Sequence, residues 1–132
     1  MSFEAELGLL KLLSNNVVEL RFVRRHPKQG YPPNRRMFCT NSKALLYSIA
    51  GKITLKHKTP KGVGLPYLPP LKNLVVTWDI MMQDYRQIPL ESVQIMEVFP
   101  VRNEEEINKF WEFFMEIIHP MSATQKTQFM KK

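Results

Sequence analysis

The chain has 132 residues, of which 44% are apolar and 11% aromatic, and it carries 19 Lys and Arg against 12 Asp and Glu. This composition is typical of a single folded domain and excludes a disordered chain. The only cysteine, Cys39, excludes an internal disulfide, and no apolar run reaches the roughly 20 residues of a membrane-spanning helix. Glu4 and Glu6 precede the apolar Leu7–Leu13 run, an order that argues against a secretory signal. We therefore expect a cytoplasmic protein that contacts no membrane.

The charges are separated along the sequence. Between Leu20 and Trp78 the chain runs 59 residues without a single Asp or Glu, and this acid-free segment holds twelve of the 19 basic residues. All twelve carboxylates lie in the flanks. Such a separation creates a field that attracts polyanions or acidic protein surfaces. The acid-free segment is therefore the first place to look for a functional surface.

Helical spacing of apolar residues predicts one helix near each end of the chain. The first begins at Ser2 and ends at Asn15-Asn16, and its apolar stripe is Phe3, Leu7, Leu10 and Leu13. The second begins at Asn103, with Glu106 in the capping-box position, and ends at Pro120. Its stripe, which we expect in the core, is Ile107, Phe110, Trp111, Phe114 and Ile118.

Between the helices, alternation of apolar and polar residues predicts short strands. The strand segments are Val17–Arg25, Arg35–Thr40, Ile53–Lys58, Leu74–Asp79, Tyr85–Ile88 and Val93–Val98. A short helix is predicted at Ser42–Ala50, and the Pro-rich Thr59–Asn73 segment is predicted to be a long loop. The pattern indicates a mainly β protein of the α+β class, a small antiparallel β-barrel with N- and C-terminal helices. Residues 1–120 would form this single domain, and residues 121–132 would form a polar tail.

Two segments carry the strand order of a known family. Leu13–Leu46 runs from an apolar strand through a Gly-containing loop to Arg36-Met37-Phe38-Cys39-Thr40, and Val75–Asp79 is followed by a five-residue turn and Tyr85–Val93. In these segments, about 55 of 132 residues, the chain resembles the phage-encoded WYL-like proteins, small regulatory proteins of tailed phages. It departs from them in its Tyr31-Pro32-Pro33 loop, in the Thr59–Asn73 insertion and in its terminal helices.

The resemblance implies an Sm-like/SH3-type barrel and a regulatory role in the cytoplasm of a phage-infected host. By analogy with small basic phage proteins it also implies a link to nucleic acid or to host RNA polymerase. It brings no catalytic residues to this chain.

The first two strands present a basic face if Phe22 lies opposite Met37. Strand alternation then forms one core wall from Val18, Leu20, Phe22, Met37 and Cys39. The other face presents Arg21, Val23, Arg25, Arg36 and Phe38. Cations interleaved with an aromatic ring favour single-stranded nucleic acid, because the cations hold phosphates while the ring stacks on a base. Alternatively, a terminal helix covers Phe38 and Val23, and the arginines only surround that contact.

The loop ends and the third strand add further cations to this face. The candidate nucleic-acid-binding residues are Arg21, Arg24, Arg25, Lys28, Tyr31, Arg35, Arg36, Phe38, Lys56, Lys58 and Lys61. Each phosphate contact should steepen the salt dependence of binding. The alternative is that the loop charges are only solvated and that Tyr31 packs on the prolines beside it.

The predicted hairpin after the Pro-rich segment has a structural interpretation. Trp78 and Tyr85 bracket its turn and are expected to pack as cross-strand partners. Arg86 is expected to pair with Asp79 or Asp84 across the same turn.

Catalytic patterns are missing from the sequence. His26, His57 and His119 are scattered without the spacing of a metal site. Cys39 lies in the middle of a predicted strand, where a buried structural thiol is favoured over a nucleophile. No Gly-rich phosphate-binding motif occurs. We therefore expect a binding protein without metal, cofactor or enzymatic activity.

Three functions remain open at this point. The leading hypothesis is a phage regulatory protein that binds nucleic acid, DNA in preference to RNA, with little sequence specificity. The second is a protein–protein module whose basic face binds host RNA polymerase or another host factor and modulates it. The third is a homodimer through the C-terminal helix, where Phe113 and Ile117 widen the apolar arc.

Overall fold

The structure, a computed structural model, describes residues 3–27, 29–30, 32–48 and 73–131. Helix α1 (Phe3–Asn15) leads directly into strand β1 (Asn16–Val23). The other elements are β2 (Asn34–Thr40), α2 (Lys43–Leu46), β3 (Leu74–Asp79), β4 (Asp84–Pro89), β5 (Gln94–Pro100), α3 (Glu104–Phe113) and α4 (Ala123–Lys131). A 3-10 turn at Leu90–Ser92 joins β4 to β5, and a π-helical turn at Phe114–Ile118 extends α3.

The five strands form one antiparallel sheet in the order β4-β3-β2-β1-β5. Strand β1 is central and pairs with both β2 and β5. Among the described residues β4 and β5 do not pair with each other. The predicted α+β class with an antiparallel sheet is confirmed. The predicted strand Ile53–Lys58 and the loop residues 59–72 lie outside the described residues.

The sheet has a hydrophobic cluster on each face. We call the side covered by α1 the α1 face, and its buried residues include Leu9, Leu13, Val18, Leu20, Phe22, Met37, Cys39, Val75 and Ile88. The opposite side, the C-terminal face, is covered by α2, α3 and α4, and its buried residues include Val17, Phe38, Leu45, Leu46, Trp78, Phe110, Trp111, Phe114 and Ile118. Because both faces are covered, consecutive residues of β1 from Val17 to Leu20 are all buried.

The start of α3 follows the sequence prediction. The Asn103 side-chain oxygen accepts a hydrogen bond from the Glu106 backbone N–H at 2.9 Å, which satisfies one of the free donors of the first turn. The Glu106 carboxylate in turn accepts from the backbone N–H of Arg102 at 3.0 Å. The predicted apolar stripe of this helix is confirmed, with Phe110 and Trp111 buried.

Both terminal helices differ in part from their predictions. In α1 the buried leucines are Leu9 and Leu13, whereas Leu7, assigned to the stripe, is 42% exposed. The segment predicted as a polar tail contains helix α4, whose Phe129 packs against the C-terminal face. One aromatic residue thus anchors an otherwise polar helix, a pattern that composition alone does not reveal.

Candidate nucleic-acid interface

In the β1–β2 hairpin the side chains lie on the predicted faces, but the pairing of the two strands is shifted by two residues from the predicted register. Met37 lies opposite Leu20, not opposite Phe22, so the predicted register is wrong. A shift of two residues keeps every side chain on its own face, because strand alternation has a period of two. The predicted core wall is therefore confirmed, and Arg21 and Arg36 lie directly opposite each other on the C-terminal face.

The guanidinium of Arg36 is neutralised by Glu19. The Glu19 Oε2 atom accepts hydrogen bonds from Arg36 Nη2 at 2.8 Å and from Nε at 3.2 Å. The Glu19 side chain is only 6% exposed, and the guanidinium carbon lies 4.8 Å from the ring centroid of Phe129. Charge-assisted bonds of this kind are strong and directional. Arg36 is therefore part of the packing between the sheet and α4.

The ring of Phe38 is covered. It stacks nearly parallel on Phe129, with centroids 5.2 Å apart and planes 10° apart, and it meets the edge of Phe113 at 6.0 Å. Phe38 is 5% exposed. The assignment of Phe38 as a base-stacking residue is therefore corrected, since the alternative arrangement, in which a terminal helix covers it, is the one observed.

Arg35 belongs to a buried ion pair on the α1 face. Its Nη2 atom donates to Asp79 Oδ2 at 2.5 Å, and the Asp79 side chain has no exposed surface. The other Asp79 oxygen accepts from the backbone N–H of Met82 at 3.0 Å. Burial outweighs the mutual attraction, so it lowers the pKa of Arg35 and raises the pKa of Asp79. The charge of Arg35 is thus matched inside the protein, which corrects its placement on a phosphate-binding surface.

Arg25 forms a two-point ion pair at the surface. Its Nε and Nη2 atoms donate to the two carboxylate oxygens of Glu91 at 2.8 and 2.6 Å. Hydrogen bonds from Arg25 lower the pKa of Glu91. The two side chains are 34% and 46% exposed, so this pair is screened by solvent and is weaker than the buried pair.

Arg21 and Arg24 differ from these three arginines. Neither has a carboxylate partner among the described residues. Arg24 closes the hairpin loop, because its backbone N–H donates to Pro33 O at 2.8 Å and its Nη1 donates to Pro32 O at 3.3 Å. Both side chains are half-buried. Of the five arginines assigned to the interface, three are paired with acids, and these two have no acid partner among the described residues.

The other candidate residues of the interface lie outside the described residues. They are Lys28, Tyr31, Lys56, Lys58 and Lys61. Their assignment stays a prediction.

The β3–β4 hairpin matches its structural interpretation. Trp78 lies opposite Tyr85, with ring centroids 5.0 Å apart in an edge-to-face arrangement. Arg86 pairs with Asp84 at 2.8 Å. Burial raises the pKa of Tyr85 to about 12. These residues hold the edge of the sheet together.

The described residues form neither a reactive thiol nor a metal centre. Cys39 is buried, its Sγ donates to Val18 O at 3.5 Å, and burial raises the pKa of the thiol, which suppresses the nucleophilic thiolate. Among the described residues no three His, Cys, Asp or Glu side chains are grouped so as to hold a metal ion. None of the helices in these residues has the length and hydropathy needed to cross a bilayer.

The sequence prediction missed the three acids that pair with the candidate arginines. Glu19 was detectable, because strand alternation places it on the same face as Arg21, two residues away. Asp79 and Glu91 were not, since their approach depends on strand order and on the path of the β4–β5 connection. All three acids lie outside the acid-free segment in the sequence, and folding brings them into contact with its arginines.

Comparisons with protein-family models, with curated proteins and with solved structures found no match for this chain. The resemblance to the phage WYL-like proteins therefore stays a prediction from the sequence.

Proposed function

We propose that this protein is a non-catalytic nucleic-acid-binding protein that holds DNA, in preference to RNA, through electrostatic contacts with little sequence specificity. The observation that supports this function is the excess of basic over acidic residues, which leaves some cations without acidic partners among the described residues. The acid-free segment contributes twelve cations to a chain of net charge +7, and three of them pair with Glu19, Asp79 and Glu91. Arg21 and Arg24 carry no such partner among the described residues.

Burial of Phe38 changes the expected mode of binding. Without an open ring on the strand face, bases have no stacking platform there, and phosphate contacts supply the affinity. Binding should then depend on phosphate density and salt. Double-stranded DNA should bind at least as tightly as a single strand of equal length, because its phosphates are closer together along the axis.

The test measures DNA affinity at salt concentrations from about 50 to 200 mM. A steep, linear fall of log affinity with log salt is expected. Arg24→Gln should reduce the slope by about 0.9, the contribution of one phosphate contact. Arg25→Gln is the matched control, because it removes the same charge from the adjacent residue, where the cation is already paired with Glu91. Salt-independent binding, or equal effects of the two variants, would contradict the proposal.

A second candidate function is the binding of an acidic protein surface, such as one on host RNA polymerase. Burial of Phe38 favours it, because without an exposed ring the same cations recognise carboxylates and phosphates alike. Retention of a defined host protein from nuclease-treated lysate would support this function. Loss of that retention after nuclease treatment would favour nucleic acid.

The finer structural and biological expectations also stay proposals. An Sm-like/SH3-type barrel requires the sheet to close between β4 and β5, and it is an alternative to a free outer edge of β5. A phage origin, with action in the host cytoplasm, depends on the sequence resemblance alone. For a homodimer through the C-terminal helix, Phe113 is less available than predicted, because it packs against Phe99 and Phe38 within its own chain, whereas Ile117 is 45% exposed.

A further inference from the structure

Strand β5 exposes an apolar edge. Ile95, Met96 and Val98 are 50%, 46% and 37% exposed. On its inner side β5 pairs with β1, and no other described strand pairs with its outer side. An edge strand with exposed apolar side chains is a template for another strand. In β5 the charge of Glu97, the terminal Pro100 and an irregularity in the pairing with Glu19 and Leu20 limit the length available for such pairing.

A cleft of about 320 Å³ lies between β5 and α3. It is lined by Val98, Phe99 and Pro100 from the strand and by Glu106, Lys109, Phe110 and Phe113 from the helix. The rings of Phe99 and Phe113 stack at 5.2 Å and give the cleft a preformed apolar wall. Such a concave apolar surface suits the side chains of a bound segment.

The exposed apolar residues and the cleft lie along the same strand and share Val98. Ile95 lies opposite Leu20 and Val98 opposite Val18, so both belong to the α1 face. The cleft lies on the C-terminal face, where Phe99 joins the cluster beneath α3. A strand added to β5 would therefore direct alternate side chains toward Ile95 and Val98 and toward the cleft.

The surroundings of this edge are acidic, in contrast to the rest of the chain. Residues 97–116 contain six glutamates and two cations, Arg102 and Lys109, and each cation is paired with a neighbouring glutamate. Glu97 lies on β5 itself and has no cationic partner among the described residues. A second copy of this chain would bring like charges together along the shared edge, and a nucleic acid would be repelled. The complementary occupant is basic.

We propose that the outer edge of β5 binds an extended segment of a partner protein in which basic and apolar residues alternate. Backbone hydrogen bonds to β5 give the segment its register, and its apolar side chains cover Ile95 and Val98. Its basic side chains face Glu97 and the glutamates of α3. This site is independent of the proposed DNA surface, so either proposal can fail alone.

The test uses the full chain and a fluorescent ten-residue peptide of alternating Val and Lys, with binding followed by polarisation. Binding is expected even though the chain and the peptide are both positively charged. A peptide of alternating Val and Glu should not bind. The Val–Lys peptide with alternate backbone nitrogens methylated should also lose binding, because it cannot complete the strand hydrogen bonds.

A matched pair of variants locates the site. Val98→Lys should weaken peptide binding by about tenfold or more, because it removes an apolar contact and places a positive charge against a basic segment. Met82→Lys introduces the same residue at a similarly exposed position in the β3–β4 turn and should leave binding unchanged. An unfolding curve of each variant checks that the fold is retained.

Three outcomes would overturn the proposal. The first is failure of the Val–Lys peptide to bind, and the second is an equal response of the two variants. The third is a concentration-dependent dimer in sedimentation that Val98→Lys abolishes, which would identify a second copy as the occupant.

Discussion

Strand β1 pairs with β2 on one side and with β5 on the other, and the charged residues of these two neighbours differ in their partners. The β1–β2 hairpin carries the arginines that the sequence predicts to form a binding face. Three of them form ion pairs with Glu91, Asp79 and Glu19. The sequence pattern of strand β5 does not indicate a binding site, but the strand exposes apolar side chains and Glu97, which has no cationic partner among the described residues. The comparison teaches that charge separated along a sequence is not necessarily separated on the surface.

The reason lies in the desolvation of charged groups. Arg35 and Arg36 lie on β2, whose two faces are both covered. Each guanidinium therefore needs an acidic partner to offset the cost of its desolvation. The partners come from β1 and β3, which neighbour β2 in the sheet. Strand β5 is at the edge, where solvent satisfies Glu97 and where no helix fully covers Ile95 or Val98.

The largest expected effect comes from the buried ion pair. Asp79→Asn should lower the free energy of unfolding by about 3–5 kcal/mol, because it leaves the Arg35 charge buried without its counter-ion. Asp84→Asn is the matched control, since Asp84 lies opposite Asp79 but is exposed and pairs with Arg86 at the surface. Its cost should be about 0–1 kcal/mol. Equal costs in urea unfolding would contradict an internal role for Arg35.

A smaller effect is expected where α4 covers the strand face. Phe129→Ala should cost about 1–3 kcal/mol, because it removes a half-buried ring that stacks on Phe38 and lies under Arg36. The same change should raise affinity for single-stranded DNA by uncovering Phe38. Gln128→Ala, an exposed neighbour on the helix, should alter neither quantity. Unchanged stability of the Phe129 variant would mean that α4 does not hold the strand face.

The smallest effect concerns the surface pair and its pH dependence. Because hydrogen bonds from Arg25 lower the pKa of Glu91 below its usual 4.5, the pair stabilises the protein above that pH and loses its effect as the pH falls through the lowered value. Glu91→Gln should cost about 0–1 kcal/mol at pH 7, and this difference should shrink as the pH falls below the lowered pKa of Glu91. Asp79 has the opposite sign, since its pKa is raised. A Glu91→Gln penalty that grew in acid would refute this assignment.

Much of the fold was accessible from the sequence, because its signals are local. Helix α3 could be located from the Asn103 cap and its apolar stripe, and strands β1 to β5 from alternation. The faces of the β1–β2 hairpin also followed, since they depend only on parity. The register did not follow, because the long loop between the strands leaves a shift of two residues undetermined.

The candidate site was less predictable than the fold. Identifying Arg25, Arg35 and Arg36 as paired requires knowing which acids approach them, and two of those acids lie more than forty residues away in the chain. Covering of Phe38 depends on Phe129, a single ring in a polar segment. Contacts between residues distant in the sequence therefore determine which arginines remain available to bind a ligand. No local sequence pattern predicts those contacts.

Arg21 and Arg36 provide the most direct test of the central claim, that pairing inside the fold decides which arginines can bind. They lie opposite each other across β1 and β2, and only Arg36 has a carboxylate partner among the described residues. The measurement is the unfolding free energy and the DNA affinity of Arg36→Gln and Arg21→Gln. Arg36→Gln should cost about 1–3 kcal/mol of stability and leave affinity unchanged. Arg21→Gln should change stability by less than about 0.5 kcal/mol and weaken DNA binding. Equal stability losses, or a loss of affinity confined to Arg36→Gln, would contradict the account.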